Sequence, residues 1–218
     1  IDRSLKKSRR VPRAVLKIAK SILEKIPSNE RVPKEWFPTD FEGTVSFVSN
    51  YESIDFSKGR WLIQTRTNKM LEPIKDFFED KGFYYSSKKG NNLISKELLI
   101  AIDSWNKLTE GLLIPAKSAK KMYSYMSVSG NKIQRGYGNG KSFKDISEEV
   151  VCFEDLKKDH GLLATGSWQQ AFDKIDERRK QYILTLQRNK EDLSPISKPR
   201  IRLSTIHGAK GDEDENIV

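Results

Sequence analysis

The chain has 218 residues, and its 40 lysine and arginine residues outnumber 30 aspartate and glutamate residues, which gives a formal net charge of +10 at pH 7. This excess favours an anionic partner such as a nucleic acid, with an inert basic surface as the alternative. A single cysteine excludes an internal disulfide framework, and no apolar run approaches the roughly 18 residues that a membrane-spanning helix needs. The chain begins without methionine, and we expect it to be a piece of a longer protein.

The first predicted element is a helix near Pro12, because proline is tolerated in the first turn of a helix. It follows the basic segment Leu5-Lys-Lys-Ser-Arg-Arg-Val-Pro12. Apolar residues at helical spacing come next and predict one buried stripe. These residues are Val15, Ile18, Ala19, Ile22, Leu23 and Ile26.

Two strand patterns follow this helix. Residues 43–49 alternate between apolar and polar, which predicts a half-buried strand, and residues 60–65 form the continuous apolar run of a strand covered on both sides. The second pattern leads into Arg66-Thr67-Asn68 and then into an apolar helix that Gly82 can end as a left-handed cap. We expect a further short strand at residues 83–85.

From residue 91 to about residue 195 the pattern is helical. Ser95 and Pro115 can open two helices, and a capping box at Ser167 and Gln170 predicts one long helix that extends to Leu186. The aromatic and aliphatic stripes of these helices predict a core. Because the block interrupts strands that should share one sheet, we interpret it as an inserted subdomain.

A glycine-rich segment inside this block, Gly136-Tyr-Gly-Asn-Gly-Lys-Ser142, resembles a phosphate-binding P-loop. The pattern G-x-x-x-x-G-K-[ST] needs glycine at position 135, where the chain has arginine, and no apolar strand precedes the segment. We therefore predict a flexible basic turn. Lys132, Arg135 and Lys141, with Tyr137 among them, are suited to contact a nucleic-acid backbone.

The last predicted strand carries Ile201, Leu203 and Ile206. Polar residues and glycines crowd its C-terminal end, where ligands bind in open α/β sheets. These residues are Thr205, His207, Gly208, Lys210, Gly211 and Glu213. The acidic run at residues 212–215 predicts a solvated turn, with metal binding as the alternative.

The segment T-I-H-G-A-K-G-x-E at residues 205–213 is similar to motif V of superfamily 1 DNA helicases of the UvrD/Rep type. The segment before Pro12 resembles their L-x-x-S-x-R motif, and the strand followed by R-T-N resembles their motif IV. The three motifs occur in the family order and span nearly the whole chain. Asp212 departs from the apolar residue common at that position of motif V.

The resemblance implies an α/β fold with a RecA-like parallel sheet and helices on both faces. It divides the chain into the first part of a second RecA-like domain at residues 1–91, an inserted helical subdomain at residues 92–197 and the continuation of the RecA-like domain at residues 198–218. The intact protein would be an ATP-dependent 3′–5′ DNA helicase in the cytoplasm of a bacterium or of a phage-infected host. It would take part in DNA replication or repair.

The resemblance also implies roles for single residues. Arg10 would be the catalytic arginine on phosphate, while Gly211 and Glu213 would face the nucleotide, with Glu213 on the ribose. A further set would contact single-stranded DNA, comprising Arg66, Thr67, Asn68, Thr205 and His207. ATP and Mg²⁺ would be held mostly by the first RecA-like domain, which is the implied partner together with single-strand/duplex junctions, so we expect the fragment alone to be inactive.

Two other functions stay open. The chain fits an inactive helicase-like subunit, for example in a nuclease complex, that binds DNA without motor activity. It also fits a basic DNA-binding module in which the similarity to motif V is accidental. With two histidines and one cysteine, the sequence predicts no zinc site, and we expect neither a metal site nor a membrane partner.

Overall fold

The computed structural model describes residues 7–31, 35–87, 93–143 and 149–218. The chain forms two compact units, Ile1–Ile54 and Asp55–Val218. Its helices and strands, in chain order, are α1 Arg13–Leu23, β1 Trp61–Thr65, α2 Glu72–Lys81, β2 Tyr85–Ser87, α3 Lys96–Thr109, β3 Ile114–Pro115, α4 Ala116–Ser124, β4 Val150–Val151, α5 Phe153–Asp159, α6 Trp168–Ala171, α7 Glu177–Arg188, β5 Ile201–Thr205 and β6 Asn216–Ile217.

In the first unit, an extended segment runs beside the start of α1. The backbone N–H groups of Arg13 and Ala14 donate to the carbonyls of Phe41 (3.1 Å) and Glu42 (2.9 Å). These N–H groups have no partner within their own helix, so the neighbouring segment satisfies them. Pro12 occupies the N-cap position, which agrees with the predicted helix start.

Two predictions for this unit are wrong. The predicted stripe of α1 is not buried, since none of its residues is buried and Ile22 is 59% exposed, whereas Leu16, outside the stripe, is buried. Residues 43–49 form no strand, and Phe47 is 86% exposed. Helical spacing and alternation are local patterns of the sequence. Burial and strand pairing also need a second element that packs on the apolar face.

The second unit contains a four-stranded parallel sheet in the order β2-β5-β1-β6. Strand β5, far along the sequence, lies between β2 and β1, so residues 61–65 and 201–205 share one sheet as predicted. Five residue pairs align β1 with β5, from Trp61 opposite Ile201 to Thr65 opposite Thr205. The inner residues Leu62, Ile63, Ile201 and Leu203 are at most 2% exposed, which is typical of a sheet covered on both faces.

Helices α2 and α7 pack together beside this sheet. The Tyr182 hydroxyl donates to the Phe83 carbonyl at 2.7 Å, and Tyr85 donates to Glu79 at 2.8 Å. Arg178 pairs with Glu79 and with Asp76 (2.6 Å). Helix α7 therefore contacts the segment around β2, although the sequence assigned it to the inserted subdomain.

The remaining helices of this unit, α3 to α6, share an aromatic core, as the stripes of α3 and α4 predict. Trp105 is fully buried, lies against Phe153 and Phe172, and donates from Nε1 to the Gly166 carbonyl at 3.1 Å. The capping box at Ser167 is present. The prediction of a single long helix after it is wrong, because residues 172–176 are not helical and separate α6 from α7. In this connection the Asp173 carboxylate accepts the backbone N–H of Ser127 at 2.8 Å.

The predicted boundary at residues 91 and 92 and Leu5, the first residue of the arginine motif, lie outside the described residues. The division at residues 1–91, 92–197 and 198–218 stays a prediction. Among the described helices, none is both long enough and apolar enough to cross a membrane.

Candidate functional site

The C-terminal ends of β1 and β5 meet at one edge of the sheet. Thr65 lies opposite Thr205, and the backbone N–H of Ile206 donates to the Thr65 carbonyl at 2.9 Å. Two segments that are about 140 residues apart in the sequence therefore leave the sheet side by side. This edge brings together the residues predicted after each strand.

The first segment begins at Arg66. The buried Thr65 hydroxyl donates to the Thr67 carbonyl at 2.8 Å, and the N–H of Met70 donates to the same carbonyl at 3.2 Å. A short 3₁₀ helix, Asn68–Leu71, follows and contacts β5. The backbone is therefore fixed close to the end of the strand, while Arg66, Thr67 and Asn68 remain exposed.

The second segment, residues 206–211, is named here the strand-end loop. Thr205 Oγ1 accepts the backbone N–H of Gly208 at 3.1 Å, and the Thr205 carbonyl accepts that of Ala209 at 2.9 Å. A Cβ at position 208 would lie 2.8 Å from Ser204 Oγ, so any larger residue would require the Ser204 side chain or the loop to shift. Gly211 has φ +86°, and no atom lies within 4 Å of the place where its Cβ would be.

Exposed basic residues lie at this edge. Arg66 and Lys69 follow β1, whereas His207 and Lys210 belong to the strand-end loop, and all four are exposed. Within the described part of the chain, Arg66, Lys69 and Lys210 take part in no ion pair. A surface with unpaired cations attracts phosphate groups.

The acidic turn at residues 212–215 is tied to two arginines and is not simply solvated as predicted. The Asp214 side chain is 1% exposed, and its carboxylate is bound by Arg60 Nε at 3.0 Å and by Arg202 Nε at 3.0 Å. Arg202 also pairs with Asp212 at 3.5 Å. The sequence missed this network, although the two arginines beside buried strand positions were a signal. No cluster suited to a metal ion occurs among the described residues.

The predicted site residues fall in both units. Arg10 lies in the unit Ile1–Ile54 and is exposed, while Ser8 Oγ accepts its backbone N–H at 3.2 Å. Thr205, His207, Gly211 and Glu213 all belong to the unit Asp55–Val218.

The segment at residues 136–142, named here the glycine loop, has a different structure. Its end lies in a 3₁₀ helix, Gly138–Phe143, with left-handed residues at Asn139 and Gly140. Ser142 Oγ lies 2.9 Å from Nδ1 of the buried His160. Among the described elements, helix α4 and not a strand comes directly before the loop, so the arrangement differs from a strand, P-loop and helix.

A basic surface surrounds the glycine loop. The sequence from residue 114 to residue 143 contains six lysines and arginines and no aspartate or glutamate. The six are Lys117, Lys120, Lys121, Lys132, Arg135 and Lys141. Helix α4 packs against the glycine loop, which brings Lys120 next to Gly140. No ion pair joins these six residues to any part of the chain that the structure describes.

Comparisons with protein-family models, with curated proteins and with solved structures find no match to this chain.

Proposed function

We propose that this chain is the nucleic-acid-binding second motor domain of an ATP-dependent 3′–5′ DNA helicase of the UvrD/Rep type. The observation that carries the proposal is the hydrogen bond between Ile206 and Thr65 at the shared strand edge. Two motifs of the family order, R-T-N and T-I-H-G-A-K-G-x-E, thereby lie at the C-terminal ends of adjacent parallel strands. That edge is where open α/β sheets bind ligands.

In this proposal, the exposed side chains of Arg66, Thr67, Asn68 and His207 contact single-stranded DNA. The guanidinium of Arg66 suits a phosphate, and the amide of Asn68 suits a base edge or a sugar. Thr205 acts differently, because its hydroxyl oxygen accepts the Gly208 N–H and so fixes the strand-end loop. The O–H group of Thr205 is then available to donate to the single-stranded DNA.

The strand-end loop also fits a nucleotide on its open side. The space beyond Gly211 lets backbone approach a phosphate or a sugar closely, and Glu213 follows two residues later. When bound, ATP supplies the free energy for movement along the strand. Arg10 would contribute the guanidinium that stabilises charge on the transferring phosphoryl group. A G-x-x-x-x-G-K-[ST] motif is absent from these 218 residues, so another domain would hold the triphosphate and Mg²⁺.

Single-stranded DNA binding by the 218-residue chain tests the proposed interface. We expect Arg66→Ala to weaken the affinity for a fluorescent oligothymidine about three- to tenfold at ~0.1 M salt and to lower the slope of log K against log salt by about 0.7. Lys58→Ala is the matched control, because Lys58 is exposed and precedes β1, at the opposite end of the strand. Equal losses for the two variants would contradict the assignment of this edge.

The six lysines and arginines of residues 114–143 favour a second candidate function, a DNA-binding module without motor activity. Six unpaired cations are sufficient for sequence-independent binding to a phosphate backbone. Steady-state ATP hydrolysis by the intact protein, with and without single-stranded DNA, separates the two candidates. The motor predicts hydrolysis that DNA stimulates, and the module predicts none.

A further inference from the structure

Arg202, the second residue of β5, contacts three consecutive residues of the acidic turn. Its Nη2 donates to the Glu213 carbonyl at 2.9 Å and to the Asp214 carboxylate at 2.9 Å. Its Nη1 lies 3.5 Å from the Asp212 carboxylate. One strand side chain therefore holds the backbone and two side chains of the segment that follows the strand-end loop.

Asp214 completes the arrangement from the side of the turn. The Asp214 side chain is nearly fully buried. Arg60, the residue before β1, binds Oδ1 of Asp214 at 3.0 Å, whereas Arg202 binds Oδ2. A buried carboxylate is stable only with such partners, since an unpaired charge in this position is costly. The turn is thus anchored to β5 by Arg202 and to β1 by Arg60.

We infer that Arg202 and Asp214 form an ionic clamp whose function is to position Glu213 for the nucleotide ribose. This inference rests on the proposed function, in which Glu213 faces the ribose. Arg202 does not touch the nucleotide and is a positioning residue. Its planar fork of donors reaches a carbonyl and a carboxylate together, which a lysine cannot do.

The two arginines offer a matched comparison. Both bind Asp214, and Arg202 also donates to the Glu213 backbone carbonyl. Arg202→Met should therefore remove the bond to Glu213, whereas Arg60→Met should weaken the anchor and leave that bond in place. Arg202→Lys is the milder variant if Arg202→Met fails to fold, because it keeps the charge beside Asp214.

Amide hydrogen exchange of the full chain gives the first readout. We expect exchange in residues 209–215 to rise about tenfold in Arg202→Met or Arg202→Lys, the effect of losing one hydrogen bond from a charged group. Exchange in residues 61–65 of β1 should rise much less in these variants. In Arg60→Met, exchange in residues 209–215 should rise much less than in the Arg202 variants. Unchanged exchange in residues 209–215 would overturn the clamp, whatever the protein does with ATP.

Ribose selectivity gives the second readout, which a merely structural role would not move. In the intact protein, the ratio of kcat/KM for ATP to that for 2′-deoxy-ATP should fall towards one in the Arg202 variants and stay at the parent value in Arg60→Met. If exchange in residues 209–215 rose but the ratio for ATP over 2′-deoxy-ATP did not change, the positioning role would be overturned. The proposed function would not be affected by that result. No hydrolysis by the parent protein would overturn the proposed function and the ribose role with it, and the exchange result would still decide on the clamp.

Discussion

The strand-end loop and the glycine loop contain similar residues and have different surroundings. Both combine glycines, a lysine and a neighbouring hydroxyl side chain. Thr205, the hydroxyl residue of the strand-end loop, is the last residue of β5, and its oxygen accepts an N–H of that loop. Ser142, the hydroxyl residue of the glycine loop, is bound to a buried histidine. The difference teaches that a glycine–lysine pattern alone does not determine where in a fold the loop lies: one loop follows a buried strand, and the other is held by a buried histidine.

The largest expected effect sharpens this comparison, because it concerns Arg10, the proposed catalytic residue, which belongs to neither loop. Arg10→Ala in the intact protein should slow DNA-stimulated ATP hydrolysis roughly a thousandfold, because a guanidinium that stabilises phosphoryl charge is lost. Single-strand affinity should change little. Steady-state hydrolysis measured beside DNA affinity checks both expectations.

Arg9→Ala is the internal control for this experiment, and Arg10→Lys should rescue poorly because lysine lacks the planar fork. If Arg9→Ala slowed ATP hydrolysis strongly and Arg10→Ala did not, the catalytic arginine of the motif would be Arg9. Normal turnover in both variants would remove the arginine-finger role from this segment.

The next prediction compares one glycine from each loop. Gly208→Ala places a Cβ 2.8 Å from Ser204 Oγ and should lower the free energy of unfolding by about 1–3 kcal/mol. Gly138→Ala meets only Val128 at 3.5 Å and should stay within about 0.5 kcal/mol of the parent. Urea unfolding of both variants is the measurement. Equal losses would show that the loops are packed alike.

Alkaline pH should weaken the unit that carries both loops. Burial is the main cause that raises the pKa of Tyr182 and of Tyr85 above the ordinary value. Because the folded pKa is raised, the stabilisation is complete below pH ~10 and is lost as the pH rises above it, by about 1.4 kcal/mol per tyrosine at pH ~11. Tyr182→Phe should reduce this loss when unfolding is measured at pH ~8 and ~11. An undiminished alkaline loss would exclude Tyr182 as a contributor.

The smallest expected effect is on the glycine loop. Lys141→Ala should leave ATP turnover of the intact protein within about twofold of the parent, because the loop lacks the strand and the spacing of a P-loop. Its affinity for DNA should fall by a similarly small factor, the loss of one exposed phosphate contact. A collapse of turnover at constant DNA affinity would identify the loop as a phosphate cradle and reverse the comparison.

The sequence predicts the part of the molecule that depends on local pattern. The apolar run at residues 60–65 and the alternation from Ile201 identify two strands, and the rule that ligands bind at strand ends then predicts which residues meet. The exposure of α1 and the lack of strand pairing at residues 43–49 were not predictable, because burial and pairing each depend on a partner element. The pairing of Asp214 with Arg60 and Arg202 was missed for the same reason, since it joins residues more than 150 positions apart as well as near neighbours.

Protection from hydrogen exchange by bound DNA tests the central claim most directly. The 218-residue chain is compared with and without a saturating oligothymidine, and protection is mapped on peptides from both loops. The account predicts protection at residues 66–70 and 205–211, with weaker protection at residues 132–143. Protection confined to residues 132–143, with the shared edge of β1 and β5 unchanged, would contradict it.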